Sequence, residues 1–211
     1  MASRFKFWLA VILAIGFLFF CDAYLGEYSL GIVNNIAIFI TLAISYNLIN
    51  GVTGQFSLEP NGFVAVGAYV AAILLLNADS KLYQFDAAEP SNIILAIYTS
   101  NFILAMFISG VCATLLALLL AMPVFRVRGD YLAIVTLGFG FIIQLLAVNF
   151  PAFTNGSIGL NEVMRVDSNG DLSRFTNIFY SGGLAIFATV VILNLVYSKF
   201  GRAMKAVRDD E

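Results

Sequence analysis

The chain has no histidine, two cysteines, four prolines and one tryptophan, and only 11% of its 211 residues are charged. Without histidine, the commonest metal ligand and the commonest neutral-pH acid or base are both missing. Cys21 and Cys112 lie in or beside apolar runs, 91 positions apart, so neither a short-range metal or redox spacing nor a disulfide is expected. No paired carboxylates occur at helical spacing inside an apolar run, and no glycine-rich phosphate loop of the Walker type is present. Catalytic residues, metal ligands and cofactors are therefore not expected. A net charge of −2 provides no field for nucleic acid. The scarcity of charge is the most informative absence, because a soluble domain carries about 25% charged and about 45–50% apolar residues. Here the apolar share is 61% and the mean hydropathy +0.92. Such a surface needs a lipid bilayer as solvent.

What is present is a series of apolar runs. Six are long enough, or nearly so, to cross about 30 Å of hydrocarbon as helix: 7–20, 30–49, 62–76, 93–122, 131–150 and 180–200. The fold expected is all-α, a polytopic helical membrane protein of about six spans with one short or broken, forming a single transmembrane domain over 1–211. With the N-terminus inside, Arg4, Lys6, Arg126, Arg128, Lys199, Arg202, Lys205 and Arg208 fall on cytoplasmic segments. Only Lys81, Arg165 and Arg174 fall outside. That asymmetry is the one expected of cytoplasmic and external loops, and it makes both termini cytoplasmic. The first run competes with a cleaved signal peptide, because Arg4 and Lys6 resemble its charged start. Bulky Trp8 and the intact alternation favour a retained helix.

Two runs depart from a simple span. Residues 62–76 would make about 22 Å of helix, preceded by Pro60, which suits a helix start. Residues 93–122 would make about 45 Å and must tilt, kink or project, with 93–101 as an interfacial or external extension. Stripes of small residues, Ser109/Ala113/Ala117/Ala121 and Ala37/Thr41/Ser45, mark close helix–helix contact and imply no solute role.

Residues 47–62 are different in kind. Three asparagines, Gln55, Ser57, Glu59, three glycines and Pro60 separate two apolar runs. Irregular backbone is tolerated at membrane depth only where protein or a water-filled cavity surrounds it. The segment is thus either a cytoplasmic loop, with Ser57 or Glu59 capping the next helix, or a broken helix lining a passage. In the second case Gln55, Ser57, Glu59 and Asn61 are path candidates, and a half-helix starting near Asn61 aims its positive end at an anionic group. Thr136 and Gln144 share a face of the fifth run and join them, although interhelical hydrogen bonding explains that pair equally.

The string from Arg126 to Gly140, RVRGDYLAIVTLGFG, resembles the permease subunits of branched-chain amino-acid ABC importers, the leucine/isoleucine/valine permease M family. Thr53–Leu58 with Gly67-Ala68-Tyr69, Thr154–Leu160, and Gly201–Glu211 are similar to further motifs of that family, in family order. The resemblance implies an importer permease fold in the bacterial inner membrane. It also implies a second permease subunit, two cytoplasmic ATP-binding subunits and an external solute-binding protein as partners, with ATP hydrolysis in those partners. Residues 199–211 then begin the cytoplasmic coupling segment, with Gly201, Arg202, Ala203, Lys205, Arg208, Asp209 and Glu211 as candidate ATPase contacts. The chain departs from the family at Glu59–Gly62, where Gly-His-Ala-Ala is usual, and at Phe141 and Gln144, where an acid and an arginine are usual. The family also continues beyond the position of Glu211, so a C-terminally incomplete permease is expected. Another small solute (urea, an amide or a sugar) and a non-transporting assembly subunit are the alternatives.

Overall fold

A computed structural model describes residues 2–55, 57, 60–85, 90–124, 126–127, 130–161, 163–166, 172–174 and 176–209. The chain forms two compact units, Met1–Gln55 with Thr176–Glu211, and Phe56–Phe175. Among the described residues, five helices are long and apolar enough to cross a membrane, and a sixth apolar helix, Pro60–Leu75, is shorter. Phe39, Phe107 and Phe187 are 68%, 69% and 65% exposed, as expected of side chains that face lipid. The polytopic helical architecture anticipated from hydropathy is the one observed, with one short β ribbon added.

The first unit contains α1 (Ala2–Tyr24), α2 (Glu27–Asn47), α9 (Ile178–Val196) and α10 (Lys199–Asp209). Gly26, in extended conformation, separates α1 from α2, and Glu27 places a carboxylate in the first turn of α2, favourable to the helix dipole. Along the α2–α9 contact, Ser181 Oγ donates to Asn34 Oδ1 at 2.6 Å, the interhelical glue that polar side chains supply in lipid. Gly182 lets α1 approach α9: a Cβ there would lie 2.8 Å from Leu18 Cδ1. At its end α2 widens into a π turn, Leu48–Val52. A sharp corner at 197–198 leads from α9 into α10. Gly201 is required there, since a Cβ would sit 2.6 Å from the Leu195 carbonyl oxygen and collide with that of Val196.

The second unit contains α3 (Pro60–Leu75), α4 (Ala78–Gln84), α5 (Asn92–Ala96), α6 (Phe102–Val124), α7 (Asp130–Asn149), α8 (Pro151–Thr154) and a short antiparallel ribbon. The ribbon pairs β1 (Met164–Val166) with β2 (Leu172–Arg174), Met164 opposite Arg174. Helix α3 packs against α6 around Leu74, Leu75 and Ala105, and against α7 at Gly62. The small-residue stripe on α6 starts in this contact, with Ala105 and Ser109 buried.

The run 93–122 is not one helix. Helix α5 stops at Ala96, and α6 starts afresh at Phe102, where Asn101 Oδ1 accepts from the amides of Ile103 and Leu104. An asparagine that caps the new helix makes a restart favourable where hydropathy alone shows an unbroken run. Lys81 supports the break. Its side chain is fully buried, and its ammonium donates to the carbonyls of Ile94, at 2.7 Å, and Ile97. Burial pushes the pKa of this lysine below its ordinary value. Counted from sequence among the outside charges, Lys81 takes up carbonyls at the end of α5.

The α9–α10 corner yields a test. Gly201→Ala forces a methyl against backbone that cannot move aside, at a cost of about 1–3 kcal/mol. Gly183, with nothing within 4 Å of its Cβ position, is the control. The thermal midpoint of the detergent-solubilised protein should fall for Gly201→Ala and hold or rise slightly for Gly183→Ala.

Candidate functional site

Two crevices are large enough to hold a small solute. The first, about 360 Å³, lies among α1, α2 and α9, and its walls are aliphatic and aromatic apart from Thr189. The Thr189 hydroxyl donates back to Ala185 O at 2.7 Å, so nothing there orients a polar solute. The second, about 420 Å³, lies between α3 and α7, and it joins apolar walls to a few polar groups. It falls in the size range of small-molecule sites and is the candidate.

Gly62 is buried, with Gly140 Cα 3.8 Å and Ile143 Cδ1 2.7 Å from where a Cβ would be. Without side chains at Gly62 and Gly140, the helices come together at this end. Leu137, Phe141, Ile143 and Val148 supply much of the apolar wall. Asn61, in the first turn of α3, Tyr69, and Gln144 on α7 contribute polar groups. First-turn amides have no acceptor within their own helix, so this end of α3 carries partial positive charge. No charged side chain occurs among the described lining residues.

Gly156 and Ser157, in the loop after α8, line the other end. The fold of that loop follows from its residues. Asn155 takes a left-handed conformation (φ 62°) after α8 and is 1% exposed. Its Nδ2 donates to Gly159 O at 2.9 Å and to Gln84 O at 2.8 Å. Gly156 and Gly159 adopt φ of 61° and 72°, accessible to glycine at no steric cost. The Thr154 hydroxyl donates to Phe150 O at 2.9 Å and to Ala147 O, and accepts from Gly156 N at 3.3 Å. The Tyr69 hydroxyl lies 3.6 Å from the Cβ position of Gly159. The loop is thus fixed over the crevice by internal hydrogen bonds.

Of the residues singled out from sequence, Asn61 and Gln144 meet at this crevice. Thr136 does not line it. That residue is 2% exposed, and its hydroxyl donates to Ala133 O at 3.1 Å, a local hydrogen bond within α7. Gln55 belongs to the first unit, while Ser57 is half-buried at the start of the second. Glu59 lies outside the described residues. Tyr69, Gly156 and Ser157 entered the sequence reading only within motifs of family resemblance, not as residues of the solute path. Their signal was the clustering of Asn155, Gly156 and Gly159, which marks a shaped turn without saying what it covers.

Among the coupling candidates, Gly201 is buried in the corner, Arg202 and Ala203 are exposed, and Lys205 is half-buried. Arg208 is solvent-exposed but turns toward α2, its Nη1 donating to Gly51 O at 3.3 Å. The Asp209 side chain and Glu211 lie outside the described residues.

Comparison with known proteins agrees with this architecture. The high-affinity branched-chain amino acid transport system permease protein LivM of Escherichia coli strain K12 is 31% identical over 199 residues, covering 82% of this chain and 42% of the relative. The protein of the same name from Salmonella typhimurium strain LT2 is 30% identical over the same extents. The chain therefore spans less than half the length of these curated relatives. No solved structure matches. The model of the family described as branched-chain amino acid transport system / permease component matches residues 28–211, and the chain belongs to that family.

Proposed function

We propose that the chain is a membrane-spanning permease subunit of an ATP-binding-cassette importer for branched-chain amino acids, and that the α3–α7 crevice borders the solute path. The observation that carries this reading is the crevice itself, in a chain whose residues 28–211 match the permease family. Its apolar walls suit a branched aliphatic side chain. A free amino acid also brings a carboxylate and an ammonium. The first-turn amides of α3 at Asn61 and Gly62 suit the carboxylate, and the side-chain oxygens of Gln144 and Ser157 suit the ammonium. Gln55, Ser57 and Glu59 precede α3 in the sequence, and Thr136 is bonded within α7. The apolar walls favour an aliphatic amino acid over urea, a simple amide or a sugar.

A second permease, two cytoplasmic ATP-binding subunits and an external solute-binding protein complete the assembly in this reading. Helix α10 docks on the ATPase through its exposed face, including Arg202 and Ala203. Both termini of the chain face the cytoplasm of a bacterial inner membrane.

Two measurements check the proposal. In proteoliposomes holding the assembled transporter, Gln144→Leu and Asn61→Leu should each lower leucine uptake roughly three- to tenfold, as expected for losing one polar contact of about 1 kcal/mol. Urea should not compete. If neither variant alters uptake, those side chains are structural and the path lies elsewhere. For orientation, single cysteines at Ser91 and Ser168 should react with an impermeant thiol reagent added outside, and one at Ala203 should not. External labelling at 203 reverses the assignment.

A further inference from the structure

The π turn that ends α2 exposes carbonyls that a helix cannot satisfy from within. Three donors serve this end of the turn, the first through the turn's own last backbone bond. Thr53 N donates to Leu48 O at 3.3 Å, and the Thr53 hydroxyl donates to Ile49 O at 2.5 Å. The third partner comes from 157 residues further along the chain: Arg208 Nη1 donates to Gly51 O at 3.3 Å. A guanidinium is well placed at this pole, because the last carbonyls of a helix carry its partial negative charge.

Glycine makes the approach of Arg208 possible at Gly54, and at Gly51 it leaves room for Asn47. Gly51 lies under the Asn47 side chain, whose Cγ is 3.1 Å from where a Cβ would be. Gly54 has a φ of 74°, and the stem of Arg208 crosses it, with Cδ 3.0 Å from the Cβ position and Cγ closer still. A side chain at Gly54 would thus be strained by the backbone and blocked by Arg208. At the other end of α10, Gly201 is wedged against the carbonyls of Leu195 and Val196. Helix α10 has 11 residues and is about 16 Å long. It is held at both ends, by the corner at its base and by Arg208 near its tip. Between them it packs against α9 and the π turn.

We infer that Arg208 is a positioning residue that latches the tip of α10 to the π turn of α2, so that a displacement of α10 moves that turn instead of swinging a loose helix. The inference rests on the reading of α10 as the ATPase-docking helix, and it gives Arg208 a role inside the chain in place of one on the ATPase surface. The π turn suits this role. Such turns hold fewer well-aligned hydrogen bonds than α-helix and often mark functional sites. Its Val52 is followed by seven residues, 53–59, that lead to Pro60 at the head of α3.

The test uses the assembled transporter with Cys21→Ala and Cys112→Ala, and a reporter cysteine at the half-buried Gln55. Arg208→Gln should raise the thiol-labelling rate of the reporter roughly five- to tenfold by freeing the turn. The same change should lower leucine taken up per ATP hydrolysed by a similar factor, while pull-down of the ATPase subunits is retained. Arg208→Lys, which keeps a charged donor able to reach Gly51 O, should restore most of both. An unchanged labelling rate in Arg208→Gln overturns the latch. So does a loss of pull-down that parallels the loss of uptake, because Arg208 would then be a docking contact. Ala203→Glu reads the docking assignment separately. It should abolish pull-down without altering reporter labelling, and retained pull-down in that variant overturns the docking role of α10 while leaving the latch to be judged by labelling.

Discussion

Backbone amides and carbonyls in hydrocarbon have no water to bond, and each one left unpaired costs several kcal/mol. That constraint explains why long helices dominate this chain, and it makes every interruption of a helix informative. Where α5 ends and α6 begins, Lys81 supplies donors to two carbonyls and Asn101 supplies an acceptor to two amides. Where α8 ends, Asn155 and Thr154 hold a loop of carbonyls and glycines together. Where α2 ends, Thr53 and Arg208 take the last carbonyls. At these three places polar side chains take over where the backbone stops satisfying itself.

Glycine works with these side chains in three distinct ways. Gly182 and Gly62 bring helices together, Gly156 and Gly159 provide left-handed turns, and Gly54 does the latter while making room for an arginine stem. Only the first use follows the small-residue logic of membrane helix packing. The others shape backbone between helices, and this is where both the α3–α7 crevice and the end of α2 acquire their form. Substituting these glycines would therefore disturb different properties, helix approach in one case and loop geometry in the other.

The hydropathy runs were enough to place the helices, because a residue's preference for lipid is a local property. The short α3 and its start at Pro60 were legible for the same reason. Three features were not. The 93–122 run carries 93–101 as an extension, and α6 does start at Phe102, but hydropathy does not show that Asn101 and a distant Lys81 make the break. Thr136 shares a helical face with Gln144 on paper, yet it is buried and bonded within α7 while Gln144 lines the crevice. Arg208 belongs to a basic stripe that positive-inside anchoring explains in full. Its contact with Gly51 joins residues 157 apart, and no periodicity encodes such a pair. Part of the candidate site was legible, Asn61 and Gln144, because each interrupts an apolar pattern. Tyr69 and Ser157 do not interrupt one.

The shortness of α3 connects the fold to the proposed passage. Sixteen residues make about 24 Å of helix, less than the roughly 30 Å of hydrocarbon a span must cross. One end of α3 must then lie below the membrane surface, and backbone there is tolerable only beside protein or water. The crevice meets that need, since Asn61 at the helix start opens into it and Ser157 borders its far end. A fixed charge in such a space would bind an oppositely charged solute too firmly to release it, whereas conduction needs contacts weak enough to leave. In the proposed reading, neutral amides and hydroxyls against aliphatic walls orient a solute without a deep trap, as a path requires.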